Sequence, residues 1–205
     1  MTKPSSSPST ATESASASGS VLAMPAAAGT RATILAAAKQ LFDERGYDAT
    51  SLRQIAEVVG TTKAAVYYHF PAKEQMLLEL TRPMLDGLAD LVAQYRDGGA
   101  PEPIEVLEAY LDLFIDNLEI VGLLAREPAT QNHPDVGRRL RMLVEAVAGH
   151  IAGDDPSPES RTRAACALGA IHAVSGLMPD LAASQRPVVL AAAIAALCAT
   201  EPPTS

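Results

Sequence analysis

The 205-residue sequence predicts an all-α fold, and three observations carry that expectation. Its hydrophobic content is 48%, much of it alanine, the strongest helix former, while aromatics make up only 4% and tryptophan is absent. Apolar residues recur at helical spacing in segment after segment between clear breakers. No segment keeps the apolar–polar alternation of a half-buried strand. The length allows one or two domains with a sizeable core.

The elements follow in order. Residues 1–28 open with "MTKPSSSPSTATESASASGS", too poor in apolar surface to offset chain entropy, and predict a disordered tail. The next stretch, "VLAMPAAAG", is too short for a signal-peptide core and contains Pro25. "TRATILAAAKQLFDERG" places Ile34, Leu35, Ala38, Leu41 and Phe42 on one face, with Thr30 as the expected cap and Gly46 as the stop. "SLRQIAEVVG" starts with Ser51 and Gln54 at capping-box spacing and ends at Gly60. "TKAAVYYHF" runs to Pro71. A long pattern follows through Leu77, Leu80, Met84, Leu88, Leu91 and Tyr95, in which Pro83 predicts a kink.

After "GGAPEP" comes the cleanest amphipathic helix, "IEVLEAYLDLFIDNLE", with Ile104, Leu107, Leu111, Phe114, Ile115 and Leu118 on one stripe. "REPATQNHP" is expected to be a break, and "DVGRRLRMLVEAVAGHI" another helix. "GDDPSPES" forms a loop whose Ser157-Pro158 starts the next helix, and Asp154-Asp155 is read there as a solvated acid pair. The last two helices, "RTRAACALGAIHAVSGLM" and "PVVLAAAIAALCA", are apolar on nearly every side. Neither these nor any other apolar run reaches the roughly 20 residues that a bilayer requires. The domain expectation is therefore a tail at 1–28, a three-helix unit at 29–75, a helical body at 76–200 and a short tail at 201–205.

The net charge of −8 is unevenly spread. Residues 29–74 hold six basic and five acidic side chains, whereas the chain from Gln75 onward holds nine basic and eighteen acidic. The acidity belongs to the body, which leaves the front of the chain compatible with nucleic acid.

The three short front helices, with the turn Val59-Gly60-Thr61-Thr62 between the second and third, have the helix-turn-helix format. At 100° per residue, Lys63, Ala64, Tyr67 and Tyr68 form one strip of the third helix. Val66 and Phe70 form a neighbouring strip able to pack on Leu52, Ile55 and Ala56, which turns the first strip outward. A major groove about 12 Å wide admits such a helix, and small residues at its start let the backbone sit deep. Lys63 can reach base edges or phosphate, Thr62 caps the helix, and Thr61 can offer a hydroxyl to phosphate. Tyr67 and His69 carry polar tips suited to flanking phosphates. Ser51, Arg53 and Lys73 complete the candidate set. The bland alternative makes the alanines plain helix formers and the rings core.

The stretch "SLRQIAEVVGTTKAAVYYHFPAKEQMLLEL" resembles the DNA-binding domain of the TetR family of bacterial regulators. The matching positions are Ser51, Ile55-Ala56, Gly60, Thr62, Tyr67, His69-Phe70, Pro71 and Lys73-Glu74, after a first helix with Phe42 and Gly46. The resemblance implies a homodimer that reads double-stranded DNA at a palindromic operator with the third helix. It also implies a fourth helix that begins at Lys73 and touches phosphate, and a helical body that binds a small effector. Ala72 departs from the usual capping Ser or Asn, and Thr61 from a usual apolar residue.

In the body, Ala- and Gly-rich helices must be buried, either by pairing with a second copy or as central helices of a monomeric core. The candidate self-pairing residues are Ala167, Ala170, Val174, Leu190, Ile194 and Leu197. The candidate ligand contacts are Tyr110, Phe114, His150, His172 and Met178, within an aliphatic cavity. Cys166 and Cys198 have no paired spacing, are expected to be small core residues, and fit a reducing cytoplasm. The four histidines show no metal-ligand spacing, and neither a phosphate loop nor a nucleophile elbow is present, so no enzyme, metal or cofactor is expected. The rival reading is a helical interaction protein without DNA binding.

Overall fold

The computed structural model describes residues 29–97, 102–154 and 156–199. The tails expected at 1–28 and 201–205, most of the "GGAPEP" break and Asp155 of the acid pair lie outside the described residues. The element order is α1 (Thr30–Arg45), α2 (Leu52–Val59), α3 (Lys63–His69), α4 (Lys73–Asp97), α5 (Pro103–Asp116), α6 (Leu118–Arg126), α7 (Pro128–Gln131), α8 (Val136–Ala152), α9 (Pro158–Leu177), α10 (Pro179–Ser184) and α11 (Arg186–Cys198). No strand occurs among the described residues, so the fold class is all-α.

Helix α1 buries Ile34, Ala37, Ala38, Leu41 and Phe42. Its cap differs from expectation: Gly29 holds the N-cap position without a side-chain bond, and Thr30 is already helical. The chain leaves α1 at Gly46 with φ +89° and leaves α2 at Gly60 with φ +72°, a region closed to most side chains. The capping box of α2 is complete. The Gln54 N–H donates to Ser51 Oγ at 3.3 Å, and the Ser51 N–H donates to Gln54 Oε1 at 2.8 Å. Ile55 and Ala56 of α2 and Val66 of α3 join the buried side of α1 in a core that continues into the rest of the chain.

Helix α4 links this unit to the body and runs through Pro83 without ending. Proline removes one backbone donor there, and the buried Thr81 hydroxyl donates to the Leu77 carbonyl at 2.9 Å one turn earlier. The front half of α4 buries Met76 and Leu77, and the back half buries Met84, Leu85 and Leu88 among the body helices.

The body differs from the sequence expectation in several places. The stripe expected to continue through Leu118 breaks at Asn117, whose Nδ2 donates to the Leu113 carbonyl at 2.8 Å. An Asn side chain competes with the helix for that carbonyl, and α5 gives way to α6. Ile104, expected on the buried stripe, is exposed at the start of α5. The expected break "REPATQNHP" contains α7, because Pro128 starts a helix rather than stopping one. Pro179 does the same for α10. Both cysteines are exposed, contrary to the expected core positions. Helices apolar on every side give no periodic signal of which face turns inward, and Cys166 and Cys198 fall on outward faces.

Helix α9 is the centre of the body and packs against α5, α6, α8, α10 and α11. Its Gly176 lets α6 come close: a Cβ there would lie 2.7 Å from the Ala125 methyl. Gly137 has a parallel role at the start of α8, where a Cβ would overlap the backbone carbonyl of Gln131. Gly137→Ala is expected to push α7 off α8 and cost about 1–3 kcal/mol. The measurement is the urea midpoint, and a midpoint unchanged from wild type would refute that close approach.

Candidate nucleic-acid interface and ligand cavity

Helix α3 has only seven residues, so it depends on anchors at both ends and along one side. Thr62 Oγ1 accepts from the Ala65 N–H at 3.1 Å and caps its start. Val66 and Phe70 are fully buried. The Arg31 guanidinium lies 4.4 Å from the centre of the Phe70 ring and also pairs with Glu79 of α4. With that side fixed, Lys63, Ala64, Tyr67 and Tyr68 all face outward, Tyr67 at 43% exposure and Tyr68 at 84%. Lys63 Nζ lies 5.3 Å from the Tyr67 ring centre, so the cation and the ring share one patch.

The remaining candidates surround this strip in different ways. Ser51 and Thr62 are exposed but already serve as caps. Arg53 is exposed and pairs with Glu57 one turn on, at 2.9 Å. Thr61 and His69 are half-buried, His69 edge-on to Tyr68. Lys73 is engaged internally: its Nζ donates to the Tyr47 carbonyl at 2.6 Å and sits 4.1 Å from the Tyr47 ring centre. Lys73 therefore ties the start of α4 to the turn between α1 and α2. The buried Tyr47 phenol is pushed up to about 12, by burial first and then by Glu74 and Asp48 nearby.

In the body, three of the five ligand candidates come together. Tyr110 stacks on Phe114 at 4.5 Å, Phe114 stacks on His172 at 4.9 Å, and the Tyr110 hydroxyl bonds His172 Nε2. Phe114 and His172 line a cavity of about 520 Å³ whose walls come from α4 to α9, with Met84, Leu124, Leu140 and Leu177 among them. His150 is elsewhere, edge-on to Tyr95, and Met178 is exposed beyond the end of α9. Sequence reasoning missed Gln131, Gly137 and Arg141, which also line it, as do Gly169 and Ala173 on the outer side of α9. Helical spacing shows that Arg138, Arg139 and Arg141 cluster, but not that only the last lines a cavity.

Of the expected self-pairing residues, only Ala167 is sealed inside its own chain. Val174, Leu190, Ile194 and Leu197 are half-buried against its core, with Ala170 half-buried beside them. Helices α9 and α11 pack on each other. The outward stripe is made of smaller residues: Ala165, Cys166, Gly169 and Ala173 on α9, and Val188, Ala191, Ala192 and Ala195 on α11.

Among the described residues, no cluster of three or more His, Cys, Asp or Glu could hold a metal ion, and no helix is long and apolar enough to cross a membrane. The sequence profile of "Bacterial regulatory proteins, tetR family" matches residues 34–80, the span from α1 into α4. Residues 34–80 therefore carry the DNA-binding domain of the TetR family. The chain is 34% identical over 114 residues to the transcriptional regulator LmrA of Bacillus subtilis, covering 51% of this chain and 60% of that protein. The aligned part spans about half the length of the curated relatives it matches. The crystal structure of the TetR-family regulator PfmR from Thermus thermophilus shares the fold, with a TM-score of 0.62 at 22% identity over 85% of this chain and 99% of that one. So does AibR, solved with isovaleryl coenzyme A and operator DNA, with a TM-score of 0.54 at 22% identity over 76% of this chain and 95% of that one.

His172 carries a pH dependence of its own. Burial pushes its pKa down from 6.5 to about 4, and burial also raises the Tyr110 phenol. The unfolded chain takes up the His172 proton near pH 6.5, and the folded chain only near pH 4. The stability tied to neutral His172 is complete above about pH 6.5 and is lost as the pH falls toward 4. Going from pH 7.5 to 5 is expected to cost about 2 kcal/mol through this residue. His172→Gln keeps a hydrogen-bonding group without the titration, and urea unfolding at both pH values should show the variant losing less stability. Equal losses would rule out His172 as the source.

Proposed function

We propose that the chain is a DNA-binding transcriptional regulator, a repressor that grips a palindromic operator as a homodimer and is released by a small-molecule effector. The outward strip of α3, held by buried Val66 and Phe70, is the observation that carries this reading. Its small N-terminal residues admit the helix to the major groove, Lys63 supplies charge, and the tyrosines reach the flanking phosphates. Arg53, Thr61, His69 and the start of α4 add contacts around it, with Ser51 and Thr62 at the caps. AibR, solved with both isovaleryl coenzyme A and operator DNA, illustrates a protein of this fold that takes two ligands. The place of action is the cytoplasm, where DNA and reduced thiols coexist.

The second copy pairs along the small-residue stripe of α9 and α11. Close helix approach suits Ala and Gly, and the stripe would otherwise leave apolar surface in water. A twofold pair sets two α3 helices about one DNA turn apart, roughly 34–36 Å. The effector prefers a body conformation in which α4 carries the heads to another spacing, and a coupling of about 1–3 kcal/mol is enough for regulation.

Selection of bound DNA from a random pool tests the central reading: a palindromic consensus is expected, and an unenriched pool would reject it. With that site in hand, Lys63→Ala is expected to weaken binding about tenfold and flatten the salt dependence by about one counterion, with folding unchanged. Tyr67→Phe should also weaken it, by removing a phosphate-reaching hydroxyl. A salt-insensitive affinity in the wild type would argue against phosphate contact.

For the pair itself, mass in solution should be that of two chains. Ala195→Arg places two like charges on the stripe and is expected to loosen the dimer about a hundredfold. A monomeric wild type that still selects a palindrome would overturn this interface.

A further inference from the structure

The cavity in the body has a charge character that the rest of the body lacks. From Gln75 onward the chain carries eighteen acidic and nine basic residues, yet the lining contains no carboxylate and one cation, Arg141. The neighbouring arginines are committed elsewhere: Arg138 pairs with Asp135 at 3.9 Å and Arg139 with Asp86 at 2.7 Å. Arg141 has no acidic partner among the described residues, and its Nη1 donates to the Gln131 carbonyl at 3.3 Å. Arg141 is exposed on the open side of the lining, and this bond uses one of its five donors and leaves the others free. The close approach at Gly137 holds that carbonyl where Arg141 can reach it.

The remainder of the lining is apolar apart from Gln131 and His172. His172 is neutral at pH 7, with Nε2 committed to Tyr110. The cavity thus combines aliphatic and aromatic walls with a single planar cation. A guanidinium binds a carboxylate through two parallel N–H donors, and the walls would bury a chain or ring attached to it.

We propose that this cavity takes an amphipathic carboxylate, its acyl or aryl body among Phe114, Met84, Val121, Leu124 and Leu140 and its head group on Arg141. The assignment deepens the effector reading and rests on it. A cavity of about 520 Å³ suits a ligand of modest size. Cations are disfavoured by Arg141, and a neutral ligand of equal shape leaves its donors unused.

Calorimetric titration of the full chain with octanoate, 1-octanol and octylammonium separates head group from tail. Octanoate is expected to bind about tenfold tighter than octanol, and octylammonium weakest. Arg141→Gln should erase the preference for octanoate while leaving octanol binding unchanged. Arg141→Lys should restore part of it, and Arg138→Gln, which alters a charge outside the lining, should leave it intact. Equal binding of octanoate and octanol, or no octanoate binding, would overturn the carboxylate assignment. Neither result touches the effector reading, which is judged by release of the selected operator with other ligands. Arg141-dependent octanoate binding with no effect on operator affinity would support the carboxylate assignment and count against this cavity as the effector site.

Discussion

Burial of Val66 and Phe70 is the constraint on which the arrangement depends. A seven-residue helix is unstable alone, so the orientation of α3 is set by what its inner side touches. Phe70 is enclosed in the core and its ring lies under Arg31, which pairs in turn with Glu79. At the same end Lys73 holds the start of α4 to the carbonyl of Tyr47. Helices α1, α2 and α4 thereby fix one side of α3, and the outward strip from Lys63 to Tyr68 follows from geometry.

The same packing joins head to body. Helix α4 belongs to both, burying Met76 and Leu77 in front and Met84 and Leu88 behind. A second connection runs between α1 and α6, where Lys39 pairs with Glu119 and Asp43 with Arg126. Exposed ion pairs add little stability individually. Their consequence here is register: α6 is held along α1 on one side while its Val121 and Leu124 wall the cavity on the other. A change in cavity shape therefore meets a helix that is in direct contact with the front of the chain.

Much of the front unit was legible because its signals are local. Ser51 and Gln54 sit three residues apart, Gly60 ends α2 in the left-handed conformation, and Val66 and Phe70 fall on one side of a helix. Lys73 was legible as a position but not as a bond, since its acceptor lies 26 residues upstream at Tyr47. The body was legible in helix content and far less in orientation. The stripe through α5 could not foresee that Asn117 would take the Leu113 carbonyl, and the alanine-rich α9 and α11 carry too little contrast between faces to say which turns inward.

The sequence by itself determined the all-α class, the helix-turn-helix motif and the separation of a near-neutral front from an acidic body. Each depends on residue type at short spacing, which a linear chain records. Tertiary structure alone decided that Cys166 and Gly169 face out while Ala167 faces in, and that Tyr110, Phe114 and His172 stack together while His150 does not. It also decided that Arg141, rather than Arg138 or Arg139, lines the cavity. Those outcomes depend on which helices meet across long stretches of chain, and only competition among alternative packings selects between faces of nearly equal hydrophobicity.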